Sequence, residues 1–280
     1  MIPPFTANDA LRDAIPKLRA GGIADPARDA RLLLAHAMAV QSDRLTLHLN
    51  DPLPPTASAR FASLISARLT RQPVAQIIGY RLFWGRRFHV TNDVLDPRPE
   101  TEILIAEALK SPAKTVLDLG TGSGAILLSL LSEWPNAQGA GTDISPAALA
   151  LAQGNAQDLG LGNRAHFTLS NWFATVTDRY DLITSNPPYI AAEEMPQLSP
   201  EVRDHEPHIA LTPGGDGLDA YRAIAAGAAA HLTAKGRLIV EIGPTQGRAV
   251  CAMFTAAGLT GATVRQDLDG RDRVVSAERG

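Results

Sequence analysis

The spacing of apolar residues divides the chain into two parts. Three early stretches carry apolar residues three and four positions apart between Gly, Pro and Asp, which predicts amphipathic helices: NDALRDAIPKLRAGG, DPARDARLLLAHAMAV and TASARFASLISARLTRQ. We therefore predict a small all-helical domain over residues 1–75. Residues 76–98 mix β-branched and aromatic side chains around Trp84 and Gly85, which predicts a β-hairpin linking this domain to residues 99–280.

After about residue 101, patterns typical of buried strands alternate with helical patterns. The strand patterns are KTVLDLG, AQGAGTDIS, RAHFTLSNWF, YDLITSNPPY and RLIVEIG, followed by a hairpin pattern around Asp269 and Gly270. Helices are predicted for SPAALALAQGNAQDLGLG, with Ser145 as N-cap, and for LDAYRAIAAGAAAHLTAKG. Because βαβ units build parallel sheets, we expect an α/β fold with a doubly wound, mostly parallel seven-stranded sheet and one antiparallel strand at or near an edge.

Composition narrows the class of protein. A chain of 280 residues with 45% hydrophobic side chains can bury an ordinary core, and a net charge of −3 argues against binding nucleic acid mainly by charge. Neither a signal-peptide pattern nor an apolar run of about 20 residues is present, so we predict a cytoplasmic protein without a membrane segment. The single cysteine, Cys251, is expected to pack inertly in the core.

One stretch has an unusual charge pattern. Residues 52–92 contain no Asp or Glu but six arginines, which are Arg60, Arg68, Arg71, Arg81, Arg86 and Arg87. This pattern predicts a locally basic surface, either a solvated face or a docking patch for an anionic partner.

The segment VLDLGTGSGA predicts a ligand site at the end of the first strand of the parallel sheet. Its glycines let the backbone approach a ligand closely, and the spacing G-x-G-x-G lacks the third glycine of the dinucleotide pattern. Asp118, buried in the strand, suits a cationic ligand group better than a pyrophosphate. Asp143 ends the next strand, where a carboxylate can accept both hydroxyls of a ribose. An adenosine-type ligand with a cationic group fits this pattern.

The segment SNPPYIA ends a buried strand on two residues without N–H groups. If the side-chain oxygen of Asn186 and the carbonyl of Pro187 accept the two N–H bonds of an NH2 group, its nitrogen is held with the lone pair directed at a methyl donor. Tyr189 can pack on the flat group. The motif therefore predicts planar NH2 substrates, namely glutamine side chains, adenine N6 or cytosine N4, although a simple strand end is the alternative.

The glycine loop and the acid of the second strand resemble the class I S-adenosylmethionine-dependent methyltransferases. The segments DPRPETE, NPPYI, EPHIALTPGGDGLDAYRAI and GRDRVV, in this order, extend the resemblance over nearly the whole chain to the HemK/PrmC protein-glutamine N5-methyltransferases. The resemblance implies a Rossmann-like fold and transfer of a methyl group from S-adenosyl-L-methionine to a glutamine side-chain amide, with S-adenosyl-L-homocysteine as product. The implied substrate is the Gly-Gly-Gln motif of class I peptide chain release factors, and the helical domain helps to recognise it.

The resemblance also implies roles for individual residues. The implied cofactor-binding residues are Asp118, Gly120, Thr121, Gly122, Gly124, Asp143, Ile144, Asn171, Trp172 and Asn186. The implied catalytic residues are Asn186, Pro187, Pro188 and Tyr189, which also bind substrate together with Arg98, Pro99 and Glu100. Asn171 stands where relatives commonly have Asp, and its amide oxygen can still accept a hydrogen bond from the adenine amino group.

Other functions remain open from the sequence alone. A glutamine methyltransferase acting on a ribosomal protein shares the NPPY chemistry, a DNA adenine N6-methyltransferase would usually carry an additional recognition domain, and a non-catalytic cofactor-binding module would not need Asn186. The acidic and histidine residues of RDHEPH look like metal ligands, but methyl transfer from a sulfonium needs no Lewis acid, and we expect no metal. No direct nucleic-acid substrate is expected.

Overall fold

The computed structural model describes residues 5–280. The helices are α1 Ala7–Ala20, α2 Pro26–Ala37, α3 Pro55–Leu69, α4 Val74–Ile78, α5 Glu102–Ala108, α6 Ala125–Glu133, α7 Pro146–Asp158, α8 Pro200–His205, α9 His208–Leu211, α10 Asp219–His231 and α11 Gly247–Ala256. The strands are β1 Tyr80–Phe83, β2 Arg86–His89, β3 Thr115–Leu119, β4 Gln138–Asp143, β5 Ala165–Leu169, β6 Tyr180–Ser185, β7 Leu232–Glu241, β8 Leu259–Gln266 and β9 Asp272–Arg279.

The chain forms two compact units. The first is helical and contains the residues up to Gly79 together with Ser199–His205, and the second contains Tyr80–Leu198 and Glu206–Gly280. Two details differ from the boundaries expected from the sequence. Residues 76–78 belong to α4, so the hairpin begins only at Tyr80. The segment Ser199–His205, far along the chain, was not expected in the helical unit.

The helical unit packs around leucines contributed by α1, α2 and the 3-10 turn Leu45–His48. Its first helix begins with a capping box, in which the Thr6 side chain and the Asp9 side chain each bond the other residue's backbone N–H. A charge cluster holds α8 in this unit: Arg68 bonds Glu201 at 2.8 Å, and Arg71 bonds the other oxygen of Glu201 at 2.8 Å.

The arginines of residues 52–92 are thus used largely within the protein. Arg68 also contacts Asp29 at 2.7 Å, Arg86 contacts Glu133 at 2.9 Å and Arg81 lies 3.5 Å from Asp96. The guanidinium of Arg87 lies over the Tyr80 ring. These contacts favour an internally compensated stretch over a strongly basic docking patch, because acidic partners from elsewhere in the chain neutralise much of the charge.

The seven-stranded sheet confirms the predicted fold class. Its order is β5-β4-β3-β6-β7-β9-β8, and β9 runs antiparallel to both of its neighbours. The antiparallel strand therefore lies second from an edge. The chain moves outward from β3 to β4 and β5 and then returns to place β6 on the other side, so the order reverses between β3 and β6, where ligands bind in such sheets. Leu119 pairs with Ser185 at the ends of these two strands.

The predicted helix LDAYRAIAAGAAAHLTAKG is too long at its C-terminal end. The helix α10 ends at His231, and β7 begins at Leu232. Alanine-rich runs favour a helix locally, but Leu232 is completely buried and pairs with Tyr180 of β6. The hairpin at Asp269 and Gly270 and the Ser145 N-cap of α7 are confirmed. No helix within residues 5–280 has the length and apolar character to cross a bilayer.

Candidate active site

A cavity of about 440 Å³ opens at the carboxyl ends of β3, β4 and β6. The predicted cofactor residues in its wall are Gly120, Thr121, Gly122, Asp143, Ile144, Asn171, Trp172 and Asn186. Of the further residues predicted for substrate, Arg98 and Pro188 also line it. The remaining predicted site residues do not line the cavity, and these are Asp118, Gly124, Pro99, Glu100, Pro187 and Tyr189.

The glycine loop follows β3 and turns the backbone past the cavity. Gly120 and Gly122 have φ of 65° and 55°, and a Cβ added at either position would meet no atom within 4 Å. The missing side chains therefore leave open space for a ligand rather than room for packing. Gly124 differs, because an added Cβ would lie 3.0 Å from Leu128, so this glycine serves the packing of α6.

Asp118 lies behind the glycine loop, with no exposed surface. Its two oxygens accept hydrogen bonds from the hydroxyls of Thr121, at 2.7 Å, and Thr184, at 2.8 Å. Burial raises the pKa of Asp118 to about 7, against the opposing effect of these hydrogen bonds. This carboxyl group stabilises the glycine loop through its hydrogen bond with Thr121. Its contact with the cationic part of a cofactor stays a prediction.

Asp143, at the end of β4, faces the cavity. Its oxygens accept the backbone N–H groups of Gly122 and Ser145, each at 2.9 Å. Because each carboxylate oxygen can accept about two hydrogen bonds, one position per oxygen remains for a ligand hydroxyl. The bond to Gly122 also couples the position of the carboxylate to the glycine loop.

The segment SNWF leaves the sheet instead of continuing β5, which ends at Leu169. The Ser170 hydroxyl donates to the Trp172 carbonyl at 2.8 Å and accepts the N–H of Thr175 at 3.1 Å. These bonds stabilise a turn in which Trp172 has a φ of 52°, unusual for a bulky residue. The turn places Asn171 and Trp172 in the cavity wall, where the sequence had suggested a longer strand.

Asn186 follows β6 directly and belongs to a hydrogen-bonded chain that the sequence did not suggest. Its Nδ2 donates to the Thr101 hydroxyl at 3.2 Å, and that hydroxyl donates to the Glu241 carboxylate at 2.5 Å. Thr101 and Glu241 are both buried. Burial raises the pKa of Glu241 to about 7. The only local signals for these residues were their positions in DPRPETE and at the end of RLIVEIG.

Tyr189 follows the two prolines and does not line the cavity. Its carbonyl accepts a hydrogen bond from Gln246 at 2.8 Å, and Gln246 also accepts from the N–H of Gly243 at 2.9 Å. Burial raises the pKa of the Tyr189 hydroxyl to about 12. The ring lies next to Gly243, where an added Cβ would be 3.4 Å from it. Packing of this ring on a substrate group stays a prediction.

Glu206, an acidic residue of RDHEPH, serves as a structural anchor. Glu206 is buried, bonds Arg98 at 2.6 Å and accepts the N–H of Asp96 at 3.0 Å. These bonds position the segment that precedes the 3-10 turn Pro99–Thr101. Within residues 5–280, no group of three His, Cys, Asp or Glu side chains is arranged to hold a metal ion.

The residues present fit an adenosyl ligand. The open space beside Gly120 and Gly122 accommodates a closely approaching group, and Asp143 retains acceptor positions for ribose hydroxyls. The indole of Trp172 and the side chain of Ile144, half-exposed at the cavity, supply apolar walls for a base. Together with the strand order, this site defines a protein of the class I methyltransferase type.

Comparison with known proteins identifies the family. The PrmC N-terminal domain matches residues 9–79, and the methyltransferase small domain matches residues 92–249. The release factor glutamine methyltransferase of Cereibacter sphaeroides is 65% identical over 271 residues, covering 97% of this chain and 98% of the relative. The protein of the same name from Bradyrhizobium diazoefficiens is 41% identical over 287 residues, covering 99% and 97%. The chain belongs to the family of the release factor glutamine methyltransferases.

Solved structures share the fold at low sequence identity. A methyltransferase from Pyrococcus furiosus aligns with a TM-score of 0.53 at 14% identity, covering 69% of this chain and 88% of the other. A 16S rRNA methyltransferase of T. thermophilus, solved with AdoMet and guanosine, aligns with a TM-score of 0.52 at 20% identity, covering 72% and 50%. These matches show a methyltransferase fold.

Proposed function

We propose that this protein transfers the methyl group of S-adenosyl-L-methionine to N5 of the glutamine in the Gly-Gly-Gln motif of class I peptide chain release factors. The observation that carries the proposal is the Asn186-Pro187-Pro188 corner, which ends β6 beside the glycine loop and the Asp143 cavity. Family membership supports the identity of the protein substrate.

Different residues of the protein bind different parts of the cofactor. When bound, S-adenosyl-L-methionine supplies a methyl group on a positively charged sulfur and leaves as S-adenosyl-L-homocysteine. Asp143 accepts hydrogen bonds from the ribose, and Gly120 and Gly122 allow close approach of the amino-acid part. Asn171 accepts from the adenine amino group, and Trp172 and Ile144 enclose the base.

Methyl transfer to an amide requires orientation more than a strong base. The amide nitrogen is a poor nucleophile because its lone pair is delocalised. The Asn186 side-chain oxygen and the Pro187 carbonyl accept its two N–H bonds, hold the lone pair towards the methyl group and stabilise the positive charge that develops on nitrogen. The proline residues offer no competing N–H donor at this corner. The nitrogen then loses one proton to solvent.

Residues other than the acceptor pair, Asn186 and Pro187, recognise the protein partner. We propose that the helical unit and the segment Arg98, Pro99 and Glu100 contact the release factor, which places the enzyme in the cytoplasm with its substrate. Internal pairing of the arginines between residues 52 and 92 favours a protein over DNA as substrate, because DNA affinity depends on free basic groups. A ribosomal-protein glutamine is the second candidate, since it would satisfy the same acceptor pair.

The test measures which substrate receives the label. The purified protein is incubated with labelled S-adenosyl-L-methionine and, separately, with a release factor, a ribosomal protein and unmethylated duplex DNA, and the label is mapped by mass spectrometry. We expect methylglutamine in the release factor. Label found only on the ribosomal protein would change the partner, and label found only on DNA would overturn the proposal.

A variant tests the role of Asn186. N186A should reduce methyl transfer by more than about 100-fold, comparable to loss of a hydrogen-bonding group at a developing charge. Its affinity for S-adenosyl-L-methionine, measured by calorimetry, should stay within about threefold, because Asp143 and the glycine loop remain. N163A, which changes an exposed asparagine in a turn, is the matched control and should behave as wild type. Unaltered turnover in N186A would refute the acceptor pair.

A further inference from the structure

We propose that Thr101 and Glu241 are positioning residues that fix the orientation of the Asn186 amide, with its oxygen towards the substrate. This inference rests on the proposed function, because it assigns a catalytic purpose to the acceptor at Asn186. Neither residue needs to touch the substrate for this role. They act through the amide that does.

The hydrogen-bonded chain crosses three elements of the methyltransferase unit. Asn186 follows β6, Thr101 ends the 3-10 turn before α5, and Glu241 ends β7. The Asn186 Nδ2 to Thr101 Oγ1 distance is 3.2 Å, and the Thr101 Oγ1 to Glu241 Oε2 distance is 2.5 Å. Thr101 and Glu241 are 4% and 1% exposed, so bulk water does not readily replace either partner.

The number of available protons fixes the donor and the acceptor in each of these hydrogen bonds. An ionised carboxylate only accepts hydrogen bonds, so the single hydroxyl proton of Thr101 is used in the bond to Glu241. The Thr101 oxygen is then available to Asn186 only as an acceptor. Therefore the NH2 group of the Asn186 amide must face Thr101, and the amide oxygen faces away from it.

The orientation matters because the NH2 and oxygen ends of an amide have similar size. Packing alone discriminates poorly between the two flipped states, and hydrogen-bond partners decide between them. In the wrong state, the Asn186 NH2 group would meet the N–H bonds of the substrate amide. Two donors would then face each other, and the developing positive charge would lose its acceptor.

The protonation state of Glu241 determines whether the Asn186 amide is held in this orientation. A protonated Glu241 can donate to Thr101, which frees the threonine proton to bond the Asn186 oxygen and permits the wrong state. Charged and titratable groups around Glu241 are Arg273 on β9, Arg98 and Glu100 near the 3-10 turn, Tyr189 after β6 and Tyr221 on α10. Burial is the largest effect and raises the Glu241 pKa to about 7. The rate of methyl transfer should therefore increase as the pH rises through about 7.

The first experiment removes the threonine hydroxyl. T101V should lower kcat about tenfold, the order expected for loss of one net hydrogen bond in the transition state, while the affinity for S-adenosyl-L-methionine stays within about twofold. T101S retains the hydroxyl and should restore kcat to within about threefold of wild type. T255V is the matched control, because the exposed Thr255 hydroxyl donates to the Cys251 carbonyl at 2.9 Å, within α11.

The second experiment follows the pH profile of kcat. Wild type should lose activity on the acid side of about pH 7, and E241Q, which cannot ionise, should lose this dependence. Wild-type kcat in T101V, equal losses in T101S and T101V, or an unchanged acid limb in E241Q would each overturn the inference. All ratios are measured on whichever NH2 substrate wild type labels, so an error in the assigned partner is detected separately from an error in the positioning chain.

Discussion

Asp118 allows a quantitative test of the buried site, because its carboxyl group is removed from water and its pKa is raised from 3.8 to about 7. Between these pH values the folded state retains a proton that the unfolded chain releases. The free energy of unfolding should therefore decrease as pH rises from about 4 to about 7 and then level off. A pKa raised from 3.8 to about 7 corresponds to about 4 kcal/mol, which is an upper limit for this one group.

The variant D118N should remove this contribution while keeping the local hydrogen bonds. The Asn oxygen can accept from Thr121, and its NH2 group can donate to Thr184. The Thr184 hydroxyl can then donate to the Leu117 carbonyl, which lies 3.4 Å away. Relative to wild type, D118N should therefore gain stability as pH rises, by up to about 3 kcal/mol between pH 4.5 and 8.5.

Urea unfolding without cofactor, at several pH values in this range, measures the effect. The comparison of wild type with D118N isolates Asp118 from Glu241, whose raised pKa contributes in the same direction to both proteins. D13N, which changes an exposed residue of α1, should alter the free energy of unfolding by less than about 0.5 kcal/mol throughout. A stability difference between D118N and wild type that does not change with pH would refute the reasoning.

Two further predictions concern the cofactor site and the proline corner. D143A should weaken S-adenosyl-L-methionine binding at least about tenfold in calorimetry, because it removes the proposed ribose acceptor and the bond to Gly122; unchanged affinity would exclude Asp143 from the cofactor site. G217A should destabilise the protein by about 2 kcal/mol or more in thermal unfolding, because φ is +78° and the new Cβ would lie 2.4 Å from the Tyr189 carbonyl oxygen. Its control G154A, in α7 with no atom near the added Cβ, should be neutral or stabilise by up to about 1 kcal/mol; equal effects of both variants would contradict the close approach at Gly217.

The features predictable from the sequence were those encoded within short segments. Alternating strand and helix patterns after about residue 101 predicted the seven-stranded sheet, and the Ser145-Pro146 pair predicted the start of α7. The glycine loop and the NPPY corner were recognisable because each combines residue types with unusual backbone properties within a few positions.

The remaining features depend on contacts between distant residues. Thr101 and Glu241 are 140 positions apart, and Arg68 and Glu201 are 133 positions apart, so no local pattern brings either pair together. The early start of β7 required the pairing of Leu232 with Tyr180 to override the helical preference of an alanine-rich run. The Asp118 carboxylate accepts hydrogen bonds from two threonines, of which only Thr121 is near in sequence.

The central claim is that the corner at Asn186 and Pro187 accepts two N–H bonds from the methylated group. It is tested most directly with a release factor in which the glutamine of Gly-Gly-Gln is replaced by Glu. A carboxylate has nearly the shape of the amide but no N–H to donate. Mass spectrometry after incubation with S-adenosyl-L-methionine should find one methyl group on the glutamine of the normal factor and none on the Glu variant. Methylation of the Glu variant at a comparable rate would contradict the account.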